Sequence, residues 1–292
     1  MITYKSANEY YQDLFGNKIY KLALDGGFSC PNRDGTLGTG GCIFCSGGSG
    51  DFAVPTGNDV NTAIETAKAL VAGKGGRKYI AYFQSYTCTY APTEYLRDLY
   101  LKAIIHPDIA ALSIGTRPDC LPDNVIALLH DLNKIKPVFI ELGLQTIHPK
   151  TAEYIRRGYA LEVYDTAVRR LKEAGINIIV HMIIGLPGET KEMAVETAKY
   201  IAGSGADGIK FQLLHVLKGT DLAEEYLSGK FSTLSLEEYT NILAECLKCI
   251  PPHMVVHRIT GDGAKRDLIA PLWSADKKRV LNYITKKLSE YE

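Results

Sequence analysis

Residues 30–51 read CPNRDGTLGTGGCIFCSGGSGD, and the rest of the chain is understood from this stretch. It holds three of the seven cysteines, Cys30, Cys42 and Cys45, in a loop with seven glycines between Gly35 and Gly50. Glycine reaches backbone conformations that other residues resist, so such a loop can wrap a bulky group. Cys42-Ile43-Phe44-Cys45 places two thiolates close enough to share a metal centre, and Cys30 can fold back to supply a third. Three cysteines on a 4Fe-4S cluster leave one iron open to a small molecule, whereas an electron-transfer cluster takes four. The competing reading is zinc, with Cys42 and Cys45 joined to Cys246 and Cys249.

Outward from the loop, residues 19–24 alternate as a short strand leading into it. Residues 59–72 carry Val60, Ile64, Ala67 and Val71 on one helical face. The pattern then repeats, with strands expected at 78–84, 109–114, 138–144, 176–184 and 208–216. Helices are expected between them at 93–105, 122–133, 149–157, 161–173 and 191–202. Near-continuous Ile/Val-rich strands joined by amphipathic helices require a parallel sheet covered by helices. Right-handed crossovers wind six such units into a partial (β/α)6 TIM-like barrel of the α/β class, with its chemistry at the C-terminal strand ends. Residues 1–18 form an N-terminal extension and 19–233 the barrel core. Residues 234–292, with a helix at 234–250, a strand at 254–259 and a helix at 277–290, form a C-terminal capping segment.

The 292 residues are 46% hydrophobic and 23% charged, as expected of a soluble globular protein. With 33 basic and 33 acidic residues the formal charge is zero, so a nucleic-acid partner would be met by a local basic patch. Polar residues occupy the N-terminus where a signal peptide needs an apolar core, and no apolar run reaches the roughly 18 residues of a membrane span. A cytoplasmic protein with no membrane partner is expected. An odd, unevenly spaced set of cysteines is not a secreted disulfide framework.

A cysteine triad ending in CxxC, with an aromatic before the last cysteine and after the first strand of a β/α chain, resembles the radical SAM superfamily. The strand ends FQSYTCTYAP (83–92), IGTRPDCL (114–121), ELGLQT (141–146) and HMIIGLPGET (181–190) are similar to the branch related to the Elongator radical SAM subunit and small bacterial proteins. The similarity runs over residues 19–262. The common form is CxxxCxxC; here eleven residues separate Cys30 from Cys42, as in that branch. The acetyltransferase domain of the Elongator subunit has no room here.

The resemblance implies that Cys30, Cys42 and Cys45 bind a 4Fe-4S cluster and that S-adenosylmethionine chelates the fourth iron. Reductive cleavage would give a 5′-deoxyadenosyl radical, with a one-electron donor such as flavodoxin or ferredoxin as partner. Phe44 would pack near the adenine. Ser85 and Tyr86 stand where relatives contact the methionine moiety, and Thr116 and Arg117 where relatives have a ribose-binding acid. Gln145 and Arg157 match a cofactor-binding pair in coproporphyrinogen-oxidising relatives; an arginine there can hold a carboxylate by paired hydrogen bonds. Gly185, with Pro187 and Gly188, would shape the turn under the adenosine. Glu141 would face the barrel with Gln145, and a buried ion pair is the alternative.

The sequence singles out no catalytic side chain. His181, inside an apolar strand, reads as a satisfied core histidine. Of Lys210 and His215, opposite in strand parity, at most one points inward. Arg258, Asp262 and Trp273 fall in the closing segment, and Cys88 and Cys120 read as buried thiols. The branch acts on carbon 5 of the wobble uridine, which implies modification of a side chain at that carbon in tRNA. Basic groups at Lys74, Arg77 and Lys78, at Arg169 and Arg170, and at Lys277, Lys278 and Arg279 could meet phosphates. The alternatives are radical chemistry on a small metabolite and, outside enzymes, a zinc-binding scaffold or an iron–sulfur electron carrier.

Overall fold

The structure is a computed structural model describing residues 1–47, 53–57, 59–261 and 263–291. The end of the cysteine loop at residues 48–51, Asp262 and the Lys74 side chain lie outside the described residues. β1 (Lys5–Ser6) leads into α1 (Ala7–Phe15), and β2 (Ile19–Asp25) and β3 (Val54–Pro55) flank the cysteine loop. There follow α2 (Val60–Val71), β4 (Lys78–Phe83), α3 (Thr93–Ile105), β5 (Ile109–Thr116), α4 (Asp123–Asn133) and β6 (Val138–Gln145). Next come α5 (Pro149–Tyr154), α6 (Leu161–Glu173), β7 (Asn177–Ile184), α7 (Lys191–Gly203) and β8 (Gly208–Leu213). The chain ends with β9 (Val216–Leu217), α8 (Asp221–Leu227), α9 (Leu236–Lys248), β10 (Val255–Arg258), β11 (Leu268–Ala270) and α10 (Lys277–Glu290).

Nine strands pair in the order β1-β10-β8-β7-β6-β5-β4-β2-β3, every neighbour parallel, and the sheet curls into a half-barrel. The six long strands are those of the expected units. The strand expected at 208–216 divides after Leu213, and Val216–Leu217 pairs antiparallel with β11 instead. The strand expected at 254–259 joins the sheet as β10 beside β8, and β1 of the N-terminal segment extends it further.

Side chains alternate across each strand. Leu22, Leu24, Phe83, Leu112, Ile114, Leu142, Val180 and Phe211 face outward and bury against helix residues such as Ile64, Leu96, Leu129, Tyr164 and Leu243. The opposite set faces the lumen in layers. At the N-terminal end, Ile80, Ala111, Phe139 and Ile179 meet Tyr11, Tyr10 and Phe15 of α1. Helix α1 is held in place by a capping box between Ser6 and Glu9. Tyr11 packs edge-on against Phe139, with ring centroids 5.7 Å apart, and its hydroxyl lies 3.3 Å from His257 Nδ1. The lower opening is thus closed by aromatic packing, and the lumen opens at the C-terminal strand ends.

Tyr11→Ala removes a large side chain from this plug and is expected to lower stability by about 3 kcal/mol or more. Urea unfolding followed by far-UV circular dichroism checks this; an unchanged midpoint would show that α1 merely rests on the barrel.

Candidate functional site

The cysteine loop leaves β2 at the open end. Arg33 and Asp34 amides donate to the Cys30 carbonyl at 2.8 and 3.2 Å, and Leu37 donates to Pro31 at 2.7 Å. The Gly41 amide donates to the Asn32 carbonyl at 2.7 Å. Residues 33–40 are therefore an excursion that begins and ends at one point. Bridging it leaves Cys30-Pro31-Asn32-Gly41-Cys42, with three residues between the cysteines. The widened spacing is the common CxxxC spacing carrying a closed loop.

The CxxC turn is pinned from the far side of the mouth. The Ile43 amide donates to Ile155 O at 3.3 Å, and its carbonyl accepts from Leu222 at 2.9 Å. The Ile43 side chain is buried with Ile155, Ile183, Leu186, Leu214 and Leu222, and Phe44 packs half-buried beside them. Asn32 Nδ2 donates to Arg156 O at 2.7 Å and reaches Cys42 Sγ at 3.7 Å. Gly158, at φ +81°, allows this approach: an added Cβ would lie 2.7 Å from Asn32 Oδ1 and 3.4 Å from Arg117.

Burial and the neighbouring Cys45 push the Cys42 thiol up to about 11, against the pull of Arg117 and Asn32; burial also raises Cys45, with Cys30 adding to it and Arg33 opposing. Cys42 and Cys45, buried side by side, resist ionising together unless a cation offsets their charge. Among the described residues the sulfurs of Cys30, Cys42 and Cys45 do not all lie within 4.8 Å of one another, as the ligands of a single ion would. The four-cysteine zinc alternative is not assembled: Cys246 is buried in the core on α9, away from the cysteine loop, with Cys249 and Glu245 as its neighbours.

The structure places the remaining candidates around this mouth in different ways. Ser85 is buried after β4. Tyr86, at φ 58°, lies under the Arg33 guanidinium at 5.3 Å. Gln145, at φ 70°, carries the single buried side-chain oxygen without a hydrogen-bond partner among the described residues, its Oε1. Together with Arg156, at φ 56°, these are the non-glycine residues in the left-handed region among the described residues, and all three stand near the mouth. Such backbone costs about 1–3 kcal/mol each and clusters at functional sites. Gly185 lies where an added Cβ would come within 3.0 Å of Leu234, so close packing requires glycine there.

Thr116 and Arg157 are engaged elsewhere. The Thr116 hydroxyl bonds to Thr89 at 2.5 Å. Arg157 is buried, neither on a solvated helix face nor open to a carboxylate on most of its fork. It donates to the carbonyls of Thr146 at 2.6 Å, Leu144 at 3.3 Å and Tyr159 at 3.0 and 3.1 Å. It therefore clamps the backbone on both sides of Gln145. Arg117, doubly bonded to Asp119 at 2.9 and 2.7 Å, stacks on Tyr159 at 5.2 Å, and Arg157 stacks on the same ring at 4.5 Å.

Below the mouth lies a polar layer centred on Glu141. Its Oε1 accepts from Lys21 at 2.5 Å and Ser113 at 2.6 Å, and its Oε2 from His181 at 2.7 Å and from Lys210. His181 Nδ1 lies 3.0 Å from Gln212 Nε2, so both ring nitrogens have partners. The Tyr82 ring is flanked by Lys21 and Lys210 at 4.6 and 4.8 Å. The cations hold Glu141 well below the usual carboxylate range despite its burial. Sequence reasoning passed over Lys21, Ser113, Tyr82, Asn32 and Asp119. The signal for Lys21 was a charge at an inward strand position; nothing local marked the others. Trp273 anchors the closing segment by donating to Leu234 O at 2.9 Å.

Comparison with known proteins gives two matching family profiles. One, described as the Radical SAM superfamily, matches residues 35–201; the other, described as the Radical_SAM C-terminal domain, matches 206–290. The YtqA protein of Bacillus subtilis is 46% identical over 98% of this chain and 89% of its own length. A tRNA uridine(34) acetyltransferase of Methanocaldococcus jannaschii is 30% identical over 52% of this chain, which spans 28% of that protein. The fold matches an archaeal Elp3 from Methanocaldococcus infernus with TM-score 0.68 at 19% identity, over 92% of this chain and 63% of that one.

Gly158→Ala would force Cβ toward Asn32 at a positive φ and is expected to lower stability by about 1–3 kcal/mol. Denaturant unfolding checks it; a loss under about 0.5 kcal/mol, as at an ordinary surface position, would show that the Asn32 contact yields freely.

Proposed function

The chain belongs to the radical SAM superfamily, and from that premise we propose that it modifies the carbon-5 side chain of the wobble uridine in tRNA. It is a radical SAM enzyme, and its cofactors are a 4Fe-4S cluster and S-adenosylmethionine. The observation that carries the assignment of the site is the convergence of Cys30, Cys42 and Cys45 at the open end of the half-barrel, beside the unsatisfied Gln145 Oε1.

In this reading Cys30, Cys42 and Cys45 would hold the cluster, leaving one iron for S-adenosylmethionine. The chemistry supplied by the bound pair is one-electron cleavage of a carbon–sulfur bond followed by hydrogen-atom abstraction from substrate. The chain's own residues bind, orient and exclude water. Asn32 and Arg117 offset thiolate charge at Cys42. Gln145 Oε1, held in position by the Arg157 clamp, would accept a hydrogen bond from the bound cofactor. Phe44 forms a wall with Ile43, Gly185 leaves room for close packing, and Ser85 and Tyr86 close the side after β4. The aromatic plug of α1 keeps solvent from entering behind the substrate. A ferredoxin or flavodoxin is the electron donor.

The tRNA reading is supported by similarity to proteins whose names specify uridine 34 of tRNA. The basic side chains Arg169, Lys278 and Arg279 offer phosphate contacts, while Arg170 already holds Asp123 and the Leu121 carbonyl. No helix among the described residues is long and apolar enough to cross a membrane.

Anaerobic purification is expected to give a brown protein with about four irons per chain. Replacing Cys30, Cys42 or Cys45 with alanine should abolish reductive cleavage of S-adenosylmethionine, and a colourless protein without cleavage would overturn the site. Nucleoside profiles of tRNA from cells with and without the gene test the substrate. A changed carbon-5 side chain at the wobble uridine is expected, and an unchanged profile would point to a small molecule.

A further inference from the structure

The polar layer under the mouth holds more positive charge than its carboxylate needs. Glu141 is fully buried, and one counterion would satisfy it. It has two, Lys21 and Lys210, and among the described residues neither ammonium forms an ion pair with any other acid. His181 adds no compensating charge, because burial and Lys210 push it down to about 4 and leave it neutral. A buried excess of positive charge is costly, and such groups concentrate where a ligand uses them.

The layer is not sealed from solvent. The Lys21 side chain keeps 24% of its surface exposed and His181 16%. Both groups stand on inward strand positions, so this exposure lies on the concave side of the half-barrel. One inward position nearer the mouth, β2, β5 and β6 carry only Ala23, Gly115 and Gly143, with Gln145 Nε2 lying over Gly143. Ser113 and Glu141 hold Lys21 Nζ at 3.2 and 2.5 Å, with the Tyr82 ring against it, so the ammonium is fixed in place.

We propose that this floor is an anion subsite, in which the Lys21 ammonium, backed by Lys210 and positioned by Glu141 and Ser113, binds a carboxylate or phosphate at the buried end of the substrate. The proposal rests on reading the lumen as the substrate chamber. It gives that chamber a polarity: neutral or cationic groups are disfavoured at its floor, and the reacting carbon lies between the bound anion and the cofactor. Lys210 makes the subsite pH-sensitive. Burial, Lys21 and Arg258 push it down to about 7 against the pull of Glu141. The groups facing it are Lys21 from β2, Tyr82 from β4, Glu141 from β6, His181 from β7, and His257 and Arg258 from β10.

Calorimetric titration of the anaerobically purified full chain with sodium acetate, and separately with inorganic phosphate, against a chloride background tests this. Saturable binding of at least one anion is expected, acetate identifying a carboxylate and phosphate a phosphoryl group. Lys21→Met should weaken it about tenfold or more. Lys210→Met should weaken it as well, and serves if Lys21→Met does not fold. With the wild-type chain alone, affinity should fall as pH rises through about 7, where Lys210 loses its charge. No saturable binding of either anion, or equal affinity in a folded Lys21→Met variant, would overturn the proposal. The titration needs neither reductant nor tRNA, so its failure leaves the proposed chemistry standing. A failure of S-adenosylmethionine cleavage likewise leaves the anion result intact.

Discussion

A parallel sheet delivers the C-terminal end of every strand to one rim, and this constraint underlies the rest of the molecule. The loops after β2, β4, β5, β6 and β7 have no choice but to meet. Residues far apart in sequence, such as Cys30, Tyr86, Arg117 and Gln145, become neighbours because their strands run the same way. The same geometry gathers the N-terminal ends at the opposite opening, which must be sealed if the lumen is to exclude water. Helix α1 seals it with aromatic rings against Phe139 and its layer.

The rim is where the chain departs from relaxed geometry. Tyr86, Gln145 and Arg156 adopt left-handed backbone without being glycine, and Gln145 buries an oxygen with no partner. Each departure is stabilised by something rigid nearby: Arg157 bonded across the backbone on both sides of Gln145, the Arg33 guanidinium over Tyr86, and Asn32 held by the Arg156 carbonyl. Strain and unsatisfied polarity at one place, on a scaffold that is otherwise well bonded, mark a site shaped for a ligand.

Much of this was legible from residue pattern. The strands were visible because both faces of a parallel sheet in this fold are largely apolar, and the cysteine triad because its ligands are close in sequence. The roles of Arg157 and Thr116 were not, since a hydrogen bond to a carbonyl or to Thr89 depends on where other loops arrive. Lys21, Ser113, Glu141, His181 and Lys210 come from five different strands, and no local window contains two of them.

The sequence by itself determined the β/α succession, the long strands of the half-barrel and the position of the cysteine loop after the first of them. Local periodicity and ligand spacing are short-range properties, written in consecutive residues. Only the tertiary structure decided that residues 33–40 form a closed excursion, that Arg157 supports Gln145, and that two lysines share one buried carboxylate. Those outcomes depend on which strands become neighbours and which side chains point inward, and the order and curl of the sheet set both.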